Sequence, residues 1–226
     1  MARHPHDYGV HFLSILTKMF EPIGILPTHY SFRDMSVDAI SKESIRRSIR
    51  AFRSSLTRGE WQSRSDRICH HLRQFDLLNR SSRIHCYWPI EKNMEVDLRP
   101  LILDLSISGT EIVLPVVEKN HLRHVLFEGE HSLRESPFGI MAPHAGVEVN
   151  VSSLDLVIVP AMAVDGRGQR LGYGGGYYDR FLSQASGIFV TPVFREQIVD
   201  EIPSDAHDIP VHFVVSEDGI IDIAQL

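Results

Sequence analysis

The chain has 226 residues, 43% of them hydrophobic and 23% charged, with a formal net charge of −6. That length and apolar content suffice for one sizeable core. An acidic balance without a long basic run argues against a nucleic-acid surface, no membrane association is expected, and small molecules become the expected partners.

Residues 1–40 read as a variable extension and residues 41–226 as one folded domain. Within the extension, Phe12, Leu13, Ile15, Leu16, Met19 and Phe20 partly follow helical spacing and could form a short amphipathic helix. Ser14, Thr17 and Lys18 interrupt any apolar run, and Asp7 and Glu21 do not suit a transit peptide. His4, His6 and His11 read as a solvated tail before they read as a metal cluster, and Met35 is an alternative start.

From Ser41, a plausible N-cap, the spacing of Ile45, Ile49, Phe52 and Leu56 predicts an apolar helix stripe. Lys42 and Arg46 share a face of that helix; spacing alone favours a solvated basic edge. A second helix is predicted over about 61–75, making an N-terminal helix pair. Residues 83–88 read as extended, 98–105 as helix and 111–117 as extended, which is βαβ wording. A hairpin strand at 123–127 and an irregular stretch at 128–151 follow. Strands are then predicted at 154–160, 187–193 and 211–215, with a helix at 175–185. The expected fold is α/β: a three-layer open, mostly parallel sheet with helices on both faces. Ligands in such sheets sit at the carboxyl ends of strands, where Pro89 to Glu95, the segment around 170–179 and Asp208 would fall. Cys69 and Cys86, the two cysteines, lie in a predicted helix and a predicted strand without metal-ligand spacing, which suits a reducing cytoplasm.

The most informative segment is Arg170-Leu-Gly-Tyr-Gly-Gly-Gly-Tyr-Tyr-Asp179. Of the chain's 15 glycines, Gly166, Gly168, Gly172, Gly174, Gly175 and Gly176 fall between 166 and 176. Such a loop can bring backbone N–H groups close to a phosphate, and a following helix start adds to the attraction. Glycines also make plain turns. Arg170 and Asp179 shift the reading toward nucleotide chemistry, as a cation for phosphate oxygens and a hard carboxylate for Mg²⁺. Neither the P-loop nor the dinucleotide fingerprint is present.

With these residues the chain resembles the 5-formyltetrahydrofolate cyclo-ligase family. The likeness rests on Asp155-Leu-Val-Ile-Val-Pro160, Asp165 and the run from Arg170 to Arg180. Further support comes from Lys42 to Arg46, Tyr87-Trp88-Pro89, Glu95-Val-Asp97, Leu114-Pro115, Phe194 to Gln197 and His207-Asp208, so the likeness spans about 42–216. It implies a NagB/RpiA/CoA-transferase-like sheet and an ATP-dependent, C–N ring-forming ligase. Such an enzyme turns 5-formyltetrahydrofolate, with or without a polyglutamate tail, into 5,10-methenyltetrahydrofolate, ADP and phosphate.

The resemblance also implies roles. Lys42, Arg46 and Arg170 would contact ATP phosphates, and Leu171, Gly172, Tyr173, Gly174, Gly175, Gly176, Tyr177 and Tyr178 would wrap the nucleotide. Tyr173, Gly174, Gly176 and Tyr177 would also touch the folate, together with Glu95 as a hydrogen-bond partner and Trp88 as a platform. Asp179 and Asp208 would hold Mg²⁺. Each has a plainer reading: Trp88 as core, Asp179 as a helix-start carboxylate and Asp208 as a turn residue. His212 stands where the family usually has a second Asp, Ala142 replaces a common Glu, and Ala161 and Val164 replace Gly and Phe. Other readings are a paralogue using ATP on another substrate and a non-catalytic nucleotide- or folate-binding regulator. The enzyme is expected as a monomer or homodimer.

Overall fold

The computed structural model describes residues 41–119, 121–136 and 139–225. The expected helix at 12–20, the histidines of the extension and Met35 lie outside the described residues. The first helix, α1 (Lys42–Ser55), starts at Ser41, whose side chain accepts from Ser44 N–H while the Ser44 hydroxyl returns to the Ser41 backbone. Its inward face is Ile45, Ile49 and Arg53. Helix α2 (Arg58–Arg73) starts earlier than expected because Thr57 and Glu60 cap its first turn reciprocally. That box sits in the sequence as Thr-x-x-Glu and overrides the break suggested by Gly59. Trp61, Ser65, Ile68, Cys69 and Leu72 bury one face, and a single helical turn, α3 (Asp76–Asn79), follows.

The central sheet has seven strands in the order β12-β11-β9-β6-β1-β2-β3. Its members are β1 (Arg83–His85), β2 (Glu111–Glu118), β3 (His121–Leu126), β6 (Leu156–Ile158), β9 (Ile188–Pro192), β11 (Phe213–Ser216) and β12 (Gly219–Asp222). From β11 to β2 the neighbours run parallel. The two edges are antiparallel: β3 pairs back on β2 and β12 on β11. Two ribbons sit beside it, β4 (Leu133–Glu135) with β5 (Met141–Pro143), and β7 (Ala163–Asp165) between β8 (Arg170–Leu171) and β10 (Ile198–Val199).

Alternation along the buried strands divides the core in two. Ile84, Ile112, Leu114, Leu156, Ile158, Val190 and Val215 pack with α2 and with α4 (Arg99–Ile107). Val113, Val157, Phe189 and Val214 face the other way, onto Phe181 and Leu182 of α5 (Tyr177–Leu182). A third cluster joins Ile45 and Ile49 of α1 to Met162, Ala163, Leu171 and Ile202 of the β7 ribbon.

Two expectations need adjusting. The strand expected at 154–160 is only Leu156–Ile158, and the chain makes the β7–β8 ribbon before reaching the glycine loop. Gly166 and Gly168 belong to that ribbon's turn, so part of the glycine cluster is architectural. A side chain at Gly168, with φ +75, would meet Val211 O at 2.5 Å. The helix expected at 175–185 is the six-residue α5, so its dipole adds less at the loop than a full helix would.

Candidate active site

A cavity of about 590 Å³ opens at the carboxyl ends of β1, β2 and β6, where Tyr87, Trp88, Pro115, Val117 and Pro160 form an apolar wall. Every site residue expected from the sequence lines this one cavity: Lys42, Arg46, Trp88, Glu95, the run from Arg170 to Asp179, and Asp208.

The glycine loop, Gly172 to Gly176, bridges β8 and α5. Among the described residues, no backbone N–H from Gly172 to Tyr178 donates to a backbone acceptor outside regular structure. The loop shares the cavity lining with three cations, Lys42, Arg46 and Arg170, a combination suited to an anion. Arg46 Nε donates to Gly172 O at 2.9 Å, and its guanidinium lies beneath Gly174, where a Cβ would stand 3.6 Å from it. Arg180 Nη2 donates to Gly175 O, and the Tyr177 hydroxyl donates to Lys119 O at 2.7 Å. Leu171 turns into the third core cluster, so its part at the wall is structural.

Arg170 is 7% exposed, and its Nη2 donates to Asp179 Oδ1 at 2.7 Å. Burial lowers the Arg170 guanidinium from its usual value, against the raising effect of the Asp179 charge. Lys42 Nζ sits between Asp205 Oδ2 at 2.7 Å and Asp208 Oδ2 at 2.8 Å. Burial depresses the Lys42 ammonium, but hydrogen bonds and charge from the two aspartates win and raise it. Asp208 is correspondingly held low: desolvation would raise it, yet the Lys42 bond and Asp205 N–H, at 2.9 Å, outweigh that. Asp205, which is outside the expected set, lines the same cavity, and its place three residues before Asp208 is its signal in the sequence.

Opposite the cations, Glu95 is 4% exposed. Its Oε2 accepts from Ile90 N–H at 2.8 Å and its Oε1 from the Tyr173 hydroxyl. Burial pushes the Glu95 carboxyl above its usual range; those two donors and the Arg53 charge oppose the push. Trp88 belongs to the core and also lines the cavity. It is 8% exposed and lies 5.7 Å from the Phe127 ring. His212 is not a wall residue; its Nδ1 accepts from Phe189 N–H at 2.9 Å. Asp165 is structural, accepting from the N–H groups of Arg167, Gln169 and Ile202 to hold the β7–β8 turn. Behind the loop, His85 and His124 pack around Phe181 at 4.6 and 4.2 Å between ring centres. Both are depressed by burial, His85 strongly and His124 to about 4.

A glycine loop, three cations and several carboxylates gathered at the carboxyl ends of a parallel sheet define an α/β protein with a ligand cavity whose lining suits an anionic ligand. Comparison with known proteins narrows that class. Residues 38–217 match the 5-formyltetrahydrofolate cyclo-ligase family, and the chain belongs to it. It is similar to the 5-formyltetrahydrofolate cyclo-ligase of Haemophilus influenzae, 26% identical over 178 residues that cover 75% of this chain and 94% of that one. The Saccharomyces cerevisiae enzyme of the same name is 27% identical over 207 residues, covering 80% and 97%. Among solved structures, the Aquifex aeolicus 5,10-methenyltetrahydrofolate synthetase superposes with a TM-score of 0.73 at 33% identity, over 80% of this chain and 92% of that one.

Proposed function

We propose that the protein converts 5-formyltetrahydrofolate and ATP into 5,10-methenyltetrahydrofolate, ADP and phosphate. The observation that supports this reading best is the convergence of the glycine loop, three cations, Glu95 and two carboxylates on one cavity. An N-formyl amide is a poor electrophile. Transfer of the γ-phosphoryl group to the formyl oxygen activates the carbon, N10 of the folate attacks it, phosphate leaves with the C–O bond, and N10 gives up its proton. Phosphoryl transfer is accelerated mainly by positioning and charge stabilisation, and the residues of this chain suit that task. Arg170, Arg46 and Lys42 would hold the triphosphate, and the N–H groups of the glycine loop would follow the phosphoryl oxygens. Glu95 would accept N–H donors of the pterin, with Trp88 and Tyr87 as its apolar wall. The oxygen-rich set at Asp205 and Asp208 suits a hard cation, since with His207 their ligand atoms lie within 4.8 Å of one another. Asp208 and Asp179 would hold Mg²⁺, which when bound with the nucleotide neutralises charge on the phosphates.

Cys69 and Cys86 are free and buried, in keeping with a cytoplasmic setting. Among the described residues no helix is long and apolar enough to cross a membrane. The decisive assay mixes purified protein with MgATP and 5-formyltetrahydrofolate and follows the near-ultraviolet absorbance of the methenyl product. Growth of that band with equimolar ADP is expected. ADP-free mixtures with no band would end the reading.

A further inference from the structure

Arg53 occupies a position on the inward face of α1 where the stripe of Ile45 and Ile49 calls for an apolar side chain, and it is 5% exposed. Its guanidinium bonds only neutral acceptors among the described residues. Nη2 donates to Ala161 O at 2.9 Å, and Nη1 donates to the Tyr173 hydroxyl at 2.9 Å with Met162 Sδ at 3.7 Å. A buried cation without a counter-ion is costly. The compensation runs through Tyr173, because the hydroxyl that accepts from Arg53 donates its own proton to Glu95 Oε1.

We propose that Arg53 and Tyr173 are positioning residues for Glu95: the Arg53 charge, relayed through the Tyr173 hydroxyl, keeps the Glu95 carboxylate ionised and aimed into the cavity as the acceptor for a ligand edge with adjacent N–H donors. The inference deepens the proposed function and takes the identity of that ligand, a 2-amino-4-oxopterin, from it. Only an ionised carboxylate accepts from two parallel N–H groups; a protonated one spends an oxygen as a donor. The groups facing Glu95 are few. Among the described residues, Arg53 on α1 is the only cation of this set; the others are the neutral phenols of Tyr87 after β1, Tyr173 on the loop and Tyr178 on α5. With Glu95 buried, removal of Arg53 leaves desolvation unopposed by charge, so the carboxyl takes up a proton at higher pH. A brace that merely ties α1 to Ala161 would not touch that titration.

The test uses the full chain carrying Arg53→Met, Arg53→Lys or Tyr173→Phe, with ¹³C-labelled glutamate carboxyls and the Glu95 signal assigned by Glu95→Gln. In Arg53→Met and Tyr173→Phe the Glu95 signal is expected to titrate at higher pH than in the parent protein, and in Arg53→Lys to stay close to it. In parallel, Arg53→Met should raise KM for 5-formyltetrahydrofolate about tenfold at neutral pH, with recovery as pH rises and kcat at saturation little changed. An unmoved Glu95 titration in a folded Tyr173→Phe protein overturns the relay, and that variant carries the test if Arg53→Met does not fold, since Tyr173 is 44% exposed. Should the parent protein make no methenyl product while Glu95 still responds to Arg53, the relay stands and the substrate assignment falls.

Discussion

The two walls of the cavity are built on opposite plans. The end of the Pro89 to Asp97 segment, at Glu95 and Asp97, is braced from outside. Trp61 Nε1–H donates to Glu95 O at 2.6 Å, Asp97 N–H to Ser65 Oγ at 3.0 Å, and Cys69 Sγ to Asp97 O at 3.3 Å. Val96 and Leu98 are fully buried anchors. The segment from Gly172 to Gly176 is held instead by long side chains reaching its carbonyls, from Arg46 and Arg180, and its N–H groups have no backbone acceptor among the described residues. Gly174 and Gly176 take φ +103 and +64, conformations that other residues adopt at a cost. The contrast suits the roles proposed for the two walls. A carboxylate that is to accept from an N–H edge must be fixed in direction, whereas a phosphate group is best met by several backbone donors with nothing else to bond.

Breaking the cationic wall should have the largest effect. Arg170→Met strands Asp179 in a partly buried site, and kcat/KM for ATP is expected to fall about 100- to 1000-fold, or roughly 3–4 kcal/mol. KM for the folate should hardly move; equal losses for both substrates would show that the walls are not separable.

Acid attacks the glycine-loop side next, because Phe181 and Tyr178 of α5 rest on His85. His85 and His124 are depressed when folded and near 6.5 when unfolded, so the unfolded chain binds more protons below that point. Their contribution is complete above about pH 6.5 and is lost as pH falls below it, for His124 down to about 4, at up to about 1.4 kcal/mol per pH unit for each histidine. Denaturant titrations across this range should show the slope and His85→Leu should flatten it; an unchanged slope would remove His85 from the account.

The smallest effect should come from the braced wall. Trp61→Phe keeps an aromatic ring but shrinks a fully buried side chain and leaves Glu95 O without its donor. About 2–3 kcal/mol of stability should be lost, together with a several-fold rise in KM for the folate at constant KM for ATP. Calorimetric melting and steady-state kinetics on one preparation would separate the two.

Much of this could be read from residue spacing. The stripe of α1, the hydrophobic runs of β6 and β9 and the glycine cluster with its flanking charges located both the sheet and the cavity. What escaped notice has physical reasons. The β7–β8 ribbon is too short to show alternation, and its turn glycines, Gly166 and Gly168, merged with those of the loop. The edge strand β12 was announced only by the two-residue turn before Gly219, at φ +137. Arg53 was overlooked because a charged residue at an apolar position reads as the edge of a stripe until tertiary partners are known. Trp88 admits two readings because it belongs to the core and also lines the cavity.

The ion pair between Lys42 and Asp208 joins residues 166 positions apart. During synthesis, the first cation of the site therefore waits for almost the whole domain to leave the ribosome before its partner exists. A nascent chain stopped short of residue 205 would carry the glycine loop yet lack both aspartates that seat Lys42. The same closure makes occupancy of the cavity a stabiliser of the first helix and the last loops together, since whatever binds only the finished fold draws the whole equilibrium with it.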